Sequence, residues 1–464
     1  MKDLKKVVLL CIASAIIAAS LTGGGIFWFM RQNQDRELAK ISEVYRDIQK
    51  NYYEQVDQKK LSDGAIKGML AALDDPYTTF LDRNQSAAFT QKLSGEIGGI
   101  GATITKKEGR FLLVDDPQKT TPAYKAGLKA GDEVIEINQQ PISHLTLKEV
   151  VEKVRGKIDS KVTLKIKRQT EEFEVSIVRA PIHVSTVSSV IDEKHPSVAK
   201  IQIKTFSSGT AEDLQKEITA LRKKEVKQFI LDLRQNNGGF LLEGEKMASM
   251  FLKNGQLIVR LEEKGQVVET VKANKSLDDG FKITEPTIVL VDGQTASSAE
   301  IVAAALNESG NKLVVGQQTF GKGTVQSINH LTKHTEIKLS TQKWLTPKGN
   351  WLHQKGLTPT IKVNLPTAEQ LNVLNNSLND ANHYSDKQKK LLIPLMQFLG
   401  YHVTLEQFDQ DFKQALIDLQ TKNQLEVTGE MNQATIEKMN ELIFGKYLKE
   451  DLAYELALDQ LIKT

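Results

Sequence analysis

Thr287-Ile-Val-Leu-Val291 runs into Asp292-Gly293 and then, through Thr295-Ala-Ser297-Ser-Ala299, into Glu300-Ile-Val-Ala-Ala-Ala-Leu306. An apolar, β-branched run bounded by a turn signal predicts a short buried strand. The alanine-rich stretch beyond it predicts a helix. Upstream, residues 198–203 and 228–233 read as strands, with a helix over 211–223 between them. Strand-helix-strand order implies parallel pairing with a right-handed crossover. This part of the chain is therefore an α/β body whose loops meet at strand ends.

A hydroxyl at a strand-to-helix junction is exposed, and the backbone N–H groups that follow it are unpaired and suited to an anion. Ser297 stands there. A serine hydroxyl needs a base, and Lys322, between Gly321 and Gly323 in a stretch free of other charges, is the candidate. Desolvation lowers a lysine's proton affinity, as a base requires. Gln326, four residues on, falls on the same face of a strand or a helix. Its amide could orient the amine without the charge that would keep it protonated. Two rivals exist. Gly316-Gln-Gln-Thr-Phe-Gly321-Lys322 begins like a P-loop, but Gly323 stands where the magnesium-binding hydroxyl belongs. A Ser-His-Asp triad is defined by geometry, so His183, His195, His330, His334 and His353 stay open as bases, though none sits in a recognisable signature.

Thr-Ala-Ser297-Ser-Ala-Glu300, Phe320-Gly-Lys322-Gly-Thr-Val-Gln326 and Asp232-Leu-Arg-Gln-Asn-Asn-Gly238-Gly239 together resemble the carboxy-terminal processing protease family. The family usually has alanine at the position of Ser298 and serine at that of Ala299. The resemblance implies a crotonase-like ββα body and a Ser297–Lys322 dyad assisted by Gln326. An oxyanion hole is expected from an N–H of Gly238 or Gly239 together with that of Ser298.

Residues 93–180 carry five strand-like runs and two short helices, and resemble a PDZ domain. Gly98-Gly99-Ile100-Gly101-Ala102 would be its carboxylate-binding loop, where glycines let successive N–H groups converge on a chain terminus. Arg155 closes the second helix, where a cation favours the C-terminus; its other expected role is to couple peptide binding to cleavage. Residues 36–53 and 61–73 have helical periodicity and form a base. Asp74 and Asp75 end it before Pro76 and are read as structural. Residues 387–464 are helical and charged. Within them 415–439 resembles the bacterial peptidoglycan-binding module, and 367–386 reads as a linker.

Lys2, Lys5 and Lys6 precede 24 uncharged residues, Val7 to Met30. Such a run spans a bilayer, with the basic head retained inside. A cleaved signal peptide is the alternative. The segments expected are thus an anchor at 1–34, a helical region at 35–92, the PDZ domain at 93–180 and a catalytic domain at 181–366. The linker at 367–386 and the helical domain at 387–464 complete an α/β multidomain chain. A net charge of +3 gives no case for nucleic acid. One cysteine and no Cys/His cluster give none for a disulfide, metal or other cofactor. The expected function is cleavage of proteins with apolar C-termini on the extracytoplasmic side of a bacterial membrane. The expected partners are peptidoglycan and a second copy of the chain. The alternative is a wall-associated PDZ scaffold with a silent or partner-dependent protease body.

Overall fold

The computed structural model describes residues 36–333, 335–363, 368–375, 384–449 and 451–463. The expected anchor at 1–34 lies outside the described residues. Among those described, no helix is long and apolar enough to cross a membrane. The chain divides into two compact units, one running to Asp82 and including Ile328–Leu339, the other Arg83–Ser327 with Ser340–Thr464.

The first unit holds two helices, α1 (residues 36–51) and α2 (Gln58–Ala71), and a short strand β1 (Thr79–Leu81) that pairs antiparallel with Glu336–Lys338. α2 starts three residues before its apolar pattern because Asp57 caps it, accepting from Lys59 N at 2.8 Å and Lys60 N at 3.1 Å. It ends at Ala71, and the turn after it closes at Asp74, whose φ is 51°. The Asp75 carboxylate accepts from Tyr77 N at 3.0 Å and Thr78 Oγ1 at 2.6 Å, the structural role expected of it.

In the second unit α3 (Arg83–Ser94) leads to β2 (Glu96–Gly99) and then a small β-domain. Its elements are β3 (Ile104–Lys107), β4 (Arg110–Leu113), α4 (Pro122–Lys125), β5 (Glu133–Ile137), β6 (Gln140–Pro141), α5 (Leu147–Val154), β7 (Lys161–Arg168) and β8 (Glu171–Val178). The strands run β3-β4-β5-β7-β8, so β3 is an edge strand, and α5 packs beside it. Thr146 and Glu149 form a capping box that starts α5. Alternation along β7 buries Val162, Leu164 and Ile166 against Phe111 and Val150. β9 (Ala180–His183) returns antiparallel along β2 to the body.

The body contains β10 (Val187–Ile191), β11 (Val198–Ile203), α6 (Thr210–Lys223), β12 (Gln228–Asp232), α7 (Leu241–Phe251), β13 (Leu257–Glu263), β14 (Gln266–Lys272) and α8 (Lys275–Asp278). It continues with β15 (Thr287–Val291), α9 (Ser298–Glu308), β16 (Val314–Gly316), β17 (Thr324–Thr332), β18 (Thr335–Leu345) and β19 (Ile361–Lys362). Six strands form a sheet in the order β10-β11-β12-β15-β16-β19. All its pairings after β10-β11 are parallel. Period-two alternation gives the sheet two apolar faces. Ile201, Leu231 and Val289 share a core with residues of α6, α7 and α9.

The other face, with Ile230, Leu290 and Val315, is covered from the far end of the chain. Four helices, α10 (Ala368–Asn375), α11 (Asp386–Phe398), α12 (Phe408–Lys422) and α13 (Gln433–Lys449), share a core with Leu392, Leu419 and Met439 at its centre. The expected linker thus contains α10, whose Leu374 is buried in that core. The last helix, α14 (Leu452–Ile462), was expected in the helical domain. It leaves that core and packs Ala457, Leu458 and Leu461 on the sheet. Without it these strand faces would meet water.

Candidate active site

The loop after β15 is fastened residue by residue. Asp292 N donates to Thr295 Oγ1 at 2.9 Å, and that hydroxyl donates in turn to Leu233 O at 2.9 Å. Ala296 N donates to Asn236 O at 2.9 Å. Ser297 follows, half-buried, with φ 57° and ψ −122°. A non-glycine residue in such a conformation costs about 1–3 kcal/mol and persists only when its surroundings impose it. Here the imposing group is Glu300. This carboxylate is fully buried and accepts four hydrogen bonds. Ser297 N (2.8 Å) and Lys322 N (2.9 Å) donate to Oε2. Thr319 Oγ1 (2.5 Å) and Gly321 N (2.7 Å) donate to Oε1. One oxygen atom thus ties the backbone of Ser297 to that of Lys322. Helix propensity alone assigns Glu300 no such role. A glutamate three residues into a helix is a capping signal, and that was the clue available.

Glycine is required on both sides of Lys322. A Cβ at Gly321 would lie 2.7 Å from Gly356 N, and one at Gly323 would lie 2.6 Å from Trp351 Nε1. Trp344 Nε1 donates to Lys322 O at 2.7 Å. Gln326, on β17, has its amide nitrogen held by Thr324 Oγ1 at 3.0 Å and Ser340 Oγ at 3.2 Å, which turns donors away and leaves its carbonyl oxygen for an amine. The histidines have other engagements. His183 meets Asp213 at 2.9 Å, His195 meets Asp192 at 3.1 Å, and His330 meets Glu336 at 3.0 Å. His353 Nδ1 accepts from Gly323 N at 3.4 Å, and its ring stacks on Trp351. His334 lies outside the described residues.

The anion-binding donors differ from expectation in one respect. Gly238 N–H is spent on Asn236 Oδ1 at 2.8 Å, so it is not a free donor. Among the described residues Gly239 N–H and Ser298 N–H, the first of α9, make no hydrogen bond. Gly238 serves by its smallness: a Cβ there would lie 2.7 Å from Ala296 O and 2.8 Å from Ser297 Cβ, at a φ of 89°. The Ser298 hydroxyl is no second nucleophile, being buried and donating to Gly239 O at 3.1 Å. Gly238→Ala is expected to lower kcat at least about tenfold with KM little changed, because it displaces Ser297 itself. Equal kcat for variant and wild type would show that the loop yields.

Four family models match the chain in order: the activating protease CtpB N-terminal domain over residues 29–85, a PDZ domain over 113–168, peptidase family S41 over 197–363 and a putative peptidoglycan binding domain over 395–439. The carboxy-terminal processing protease CtpA of Bacillus subtilis is 36% identical over 100% of both chains. A probable CtpA-like serine protease of Staphylococcus saprophyticus is 34% identical over 97% of this chain and 91% of its own. The chain belongs to the S41 carboxy-terminal processing proteases. Among solved structures, the photosystem II D1 C-terminal processing protease is 26% identical over 70% of this chain and 86% of its own, with a TM-score of 0.41.

In this S41 peptidase the PDZ groove is a cavity of about 1020 Å³. Ile100, Ile104, Val151 and Val154 line it on the PDZ side, and His183, Asp213 and Lys216 on the body side. Gly101 and Ala102 face it as expected. Gly98 does not: a Cβ there would lie 2.0 Å from Gly156 O, so this glycine serves the packing of β2 against the exit of α5. Gly99 lines the groove as well, while paired in β2 with Ala180 of β9. The Ile100 side chain is buried in the domain core, and its carbonyl accepts from Ala123 N at 2.8 Å. Arg155 is exposed at the rim. The cation that meets the carbonyls ending α5 is instead Arg179, donating to Val154 O at 2.8 Å and Lys153 O at 2.9 Å.

Two residues after the end of β12, Arg234 lies between two carboxylates. It donates to Asp232 at 2.9 and 2.6 Å and to Asp451 at 2.6 and 2.8 Å. Burial opposes its charge, but both carboxylates outweigh that and raise its pKa. Burial likewise raises the Asp451 carboxyl, and Arg234 more than reverses it, so the net shift is downward.

Proposed function

We propose that this S41 peptidase is an endopeptidase in which Ser297 is the nucleophile, Lys322 its base and Gln326 the group that orients the amine. The observation carrying the reading is the single Glu300 oxygen that binds the backbone of both Ser297 and Lys322. Two residues 25 apart in sequence, on different elements, are thereby held in one fixed relation. Ser297 Oγ attacks the scissile carbonyl while Lys322 Nζ takes its proton. The tetrahedral oxyanion is met by the N–H groups of Gly239 and Ser298, donors of a kind that stabilise it by about 3–4 kcal/mol each. Lys322 then protonates the leaving amine. Water, deprotonated by the same lysine, hydrolyses the acyl-enzyme ester and restores Ser297. Exposed Phe240, Leu242 and Phe320 flank Gly239 and Lys322 in the chain and offer apolar surface for the substrate.

The rest of the reading concerns delivery. An extended C-terminus adds to the β3 edge, its apolar side chains against Val151 and Val154 and its carboxylate at Gly101 and Ala102. Arg155, at the rim of that groove, couples occupancy to cleavage. Residues 7–30 anchor the chain in a bacterial membrane with the catalytic body outside, and the helical domain contacts peptidoglycan. The exposed apolar residues Ile41, Val44, Met69 and Leu73 on α1 and at α2 support self-association.

The test uses the full chain in detergent with an unfolded protein bearing an apolar C-terminus, products being read by mass spectrometry. Cleavage should disappear in both Ser297→Ala and Lys322→Ala with folding intact. Cleavage that survives in Lys322→Ala would reinstate a histidine base. A wild type that cleaves nothing would favour the scaffold. Arg155→Ala should lower peptide-stimulated cleavage and spare the basal rate; no change in either removes the coupling role.

A further inference from the structure

The helical domain is an insertion in the peptidase. The chain leaves the sheet after β19 and Val363, passes through α10–α13, and returns to the same face as α14. Three polar contacts fix the returning helix. Tyr454 Oη donates to Asp192 Oδ2 at 2.7 Å, Gln228 Nε2 donates to Leu461 O at 3.0 Å, and Asp451 takes Arg234 in a two-pronged pair. Asp451 also caps α14, accepting from Tyr454 N at 3.2 Å. A cavity of about 600 Å³ lies at this junction, lined by Asp232, Arg234, Asp292, Gln294 and Asp451.

Resting on the peptidase reading above, we propose that Asp451 is a positioning residue of the active site, supplied by the chain's last segment. The route is short and covalent. Arg234 opens the loop that carries Gly238 and Gly239. The next residue's N–H donates to Asp292 at 3.0 Å, and Asn236 carries both Gly238 N and Ala296 N. Asp232 already holds Arg234 from its own strand, but it takes only two of the five guanidinium N–H groups. Asp451 takes the far edge and stops the arginine, and the loop behind it, from turning into the cavity. Because Asp451 caps the first turn of α14, directly after the helical domain in sequence, a pull transmitted from that domain reaches this carboxylate before it reaches the apolar seat around Leu458. The catalytic loop is thereby linked to what the helical domain binds.

The test compares Asp451→Asn, Asp451→Glu and Leu458→Ala in the full chain. Leu458→Ala loosens the apolar seat of α14 without touching the carboxylate. Steady-state cleavage of a reduced, carboxymethylated protein gives kcat and KM, thermal unfolding gives Tm, and hydrogen exchange reads amides 234–240. Asp451→Asn should lower kcat about tenfold, with KM within about twofold, and should speed exchange in 234–240. Asp451→Glu should recover most of the rate. Leu458→Ala should lose Tm while keeping kcat and loop protection. The proposal fails if kcat and exchange in Asp451→Asn match wild type, or if both variants lose kcat in step with Tm. The exchange comparison decides even if the wild type proves inactive, which would refute the dyad reading separately.

Discussion

Glu300→Gln is expected to abolish most activity although the side chains are isosteric. All four partners of the native carboxylate are donors: Ser297 N, Lys322 N, Thr319 Oγ1 and Gly321 N. A carboxylate offers acceptors at both oxygens. An amide offers one oxygen and places an NH₂ against whichever pair it faces. If the NH₂ takes the Oε2 position, Ser297 and Lys322 lose their common anchor. If it takes the Oε1 position, Thr319 and Gly321 are repelled and the loop before Lys322 shifts. The Thr319 hydroxyl, which accepts from Leu357 N at 2.6 Å, has a second lone pair to offer the NH₂, but its own proton then loses its acceptor and Gly321 N still faces a donor. A buried donor left unsatisfied costs about 1–3 kcal/mol, so a stability loss of roughly 2–4 kcal/mol is expected. The Glu300 carboxylate is the side-chain group that holds Ser297 N–H, and a displacement of about 1 Å at a reacting residue costs about 100-fold in rate. Urea unfolding and kcat on one preparation check both figures. A variant with wild-type kcat would mean that the Ser297 and Lys322 loops hold their places unaided.

Stability should fall as pH rises from about 4.5 to about 7, through one group on α7. Burial, aided by the negative charge of Glu269, pushes the Glu245 carboxyl up to about 7. Unfolded, it titrates near the ordinary glutamate value. Between these values the folded chain binds the extra proton, so each rise in pH favours the unfolded state. The contribution is fully present below the unfolded pKa and is lost as pH passes the folded one. At about 1.4 kcal/mol per unit, on the order of 3 kcal/mol disappears across this window. Glu245→Gln cannot ionise. Its urea-unfolding free energy should fall behind the wild type's trend nowhere, and should exceed it by that amount at pH 8. Comparing the two proteins at each pH cancels the carboxylates that do not interact with Glu245. A constant difference from pH 5 to 8 would show that Glu245 ionises at its ordinary pKa. Since α7 begins two residues after Gly239, the same titration should loosen the loop that carries Gly239.

Local signals were legible in the sequence. The run 287–291 became β15, and Ser297 did fall at the strand-to-helix junction. The β-rich segment folded into strands close to those expected, and α5 began at its capping box. These features depend on residues within a few positions of one another: side-chain alternation, small residues at a turn, a hydroxyl three residues before a glutamate. Motif spacing brought in Lys322 and Gln326 because the resemblance supplied a distance that periodicity could not.

Short-range pattern thus specifies the elements, their order and the chemical groups at their ends. Only the tertiary structure decided which donor met which acceptor. It assigned Gly238 N–H to Asn236 and left Gly239 N–H without an acceptor among the described residues. It gave the end of α5 to Arg179 instead of Arg155, and it drew α14 out of the helical domain onto the sheet. Arg234 and Asp451 stand 217 residues apart, and Ser297 and Lys322 share an acceptor that belongs to neither. Such pairings follow from which buried groups must be satisfied once the layers have closed, and no short-range pattern encodes that.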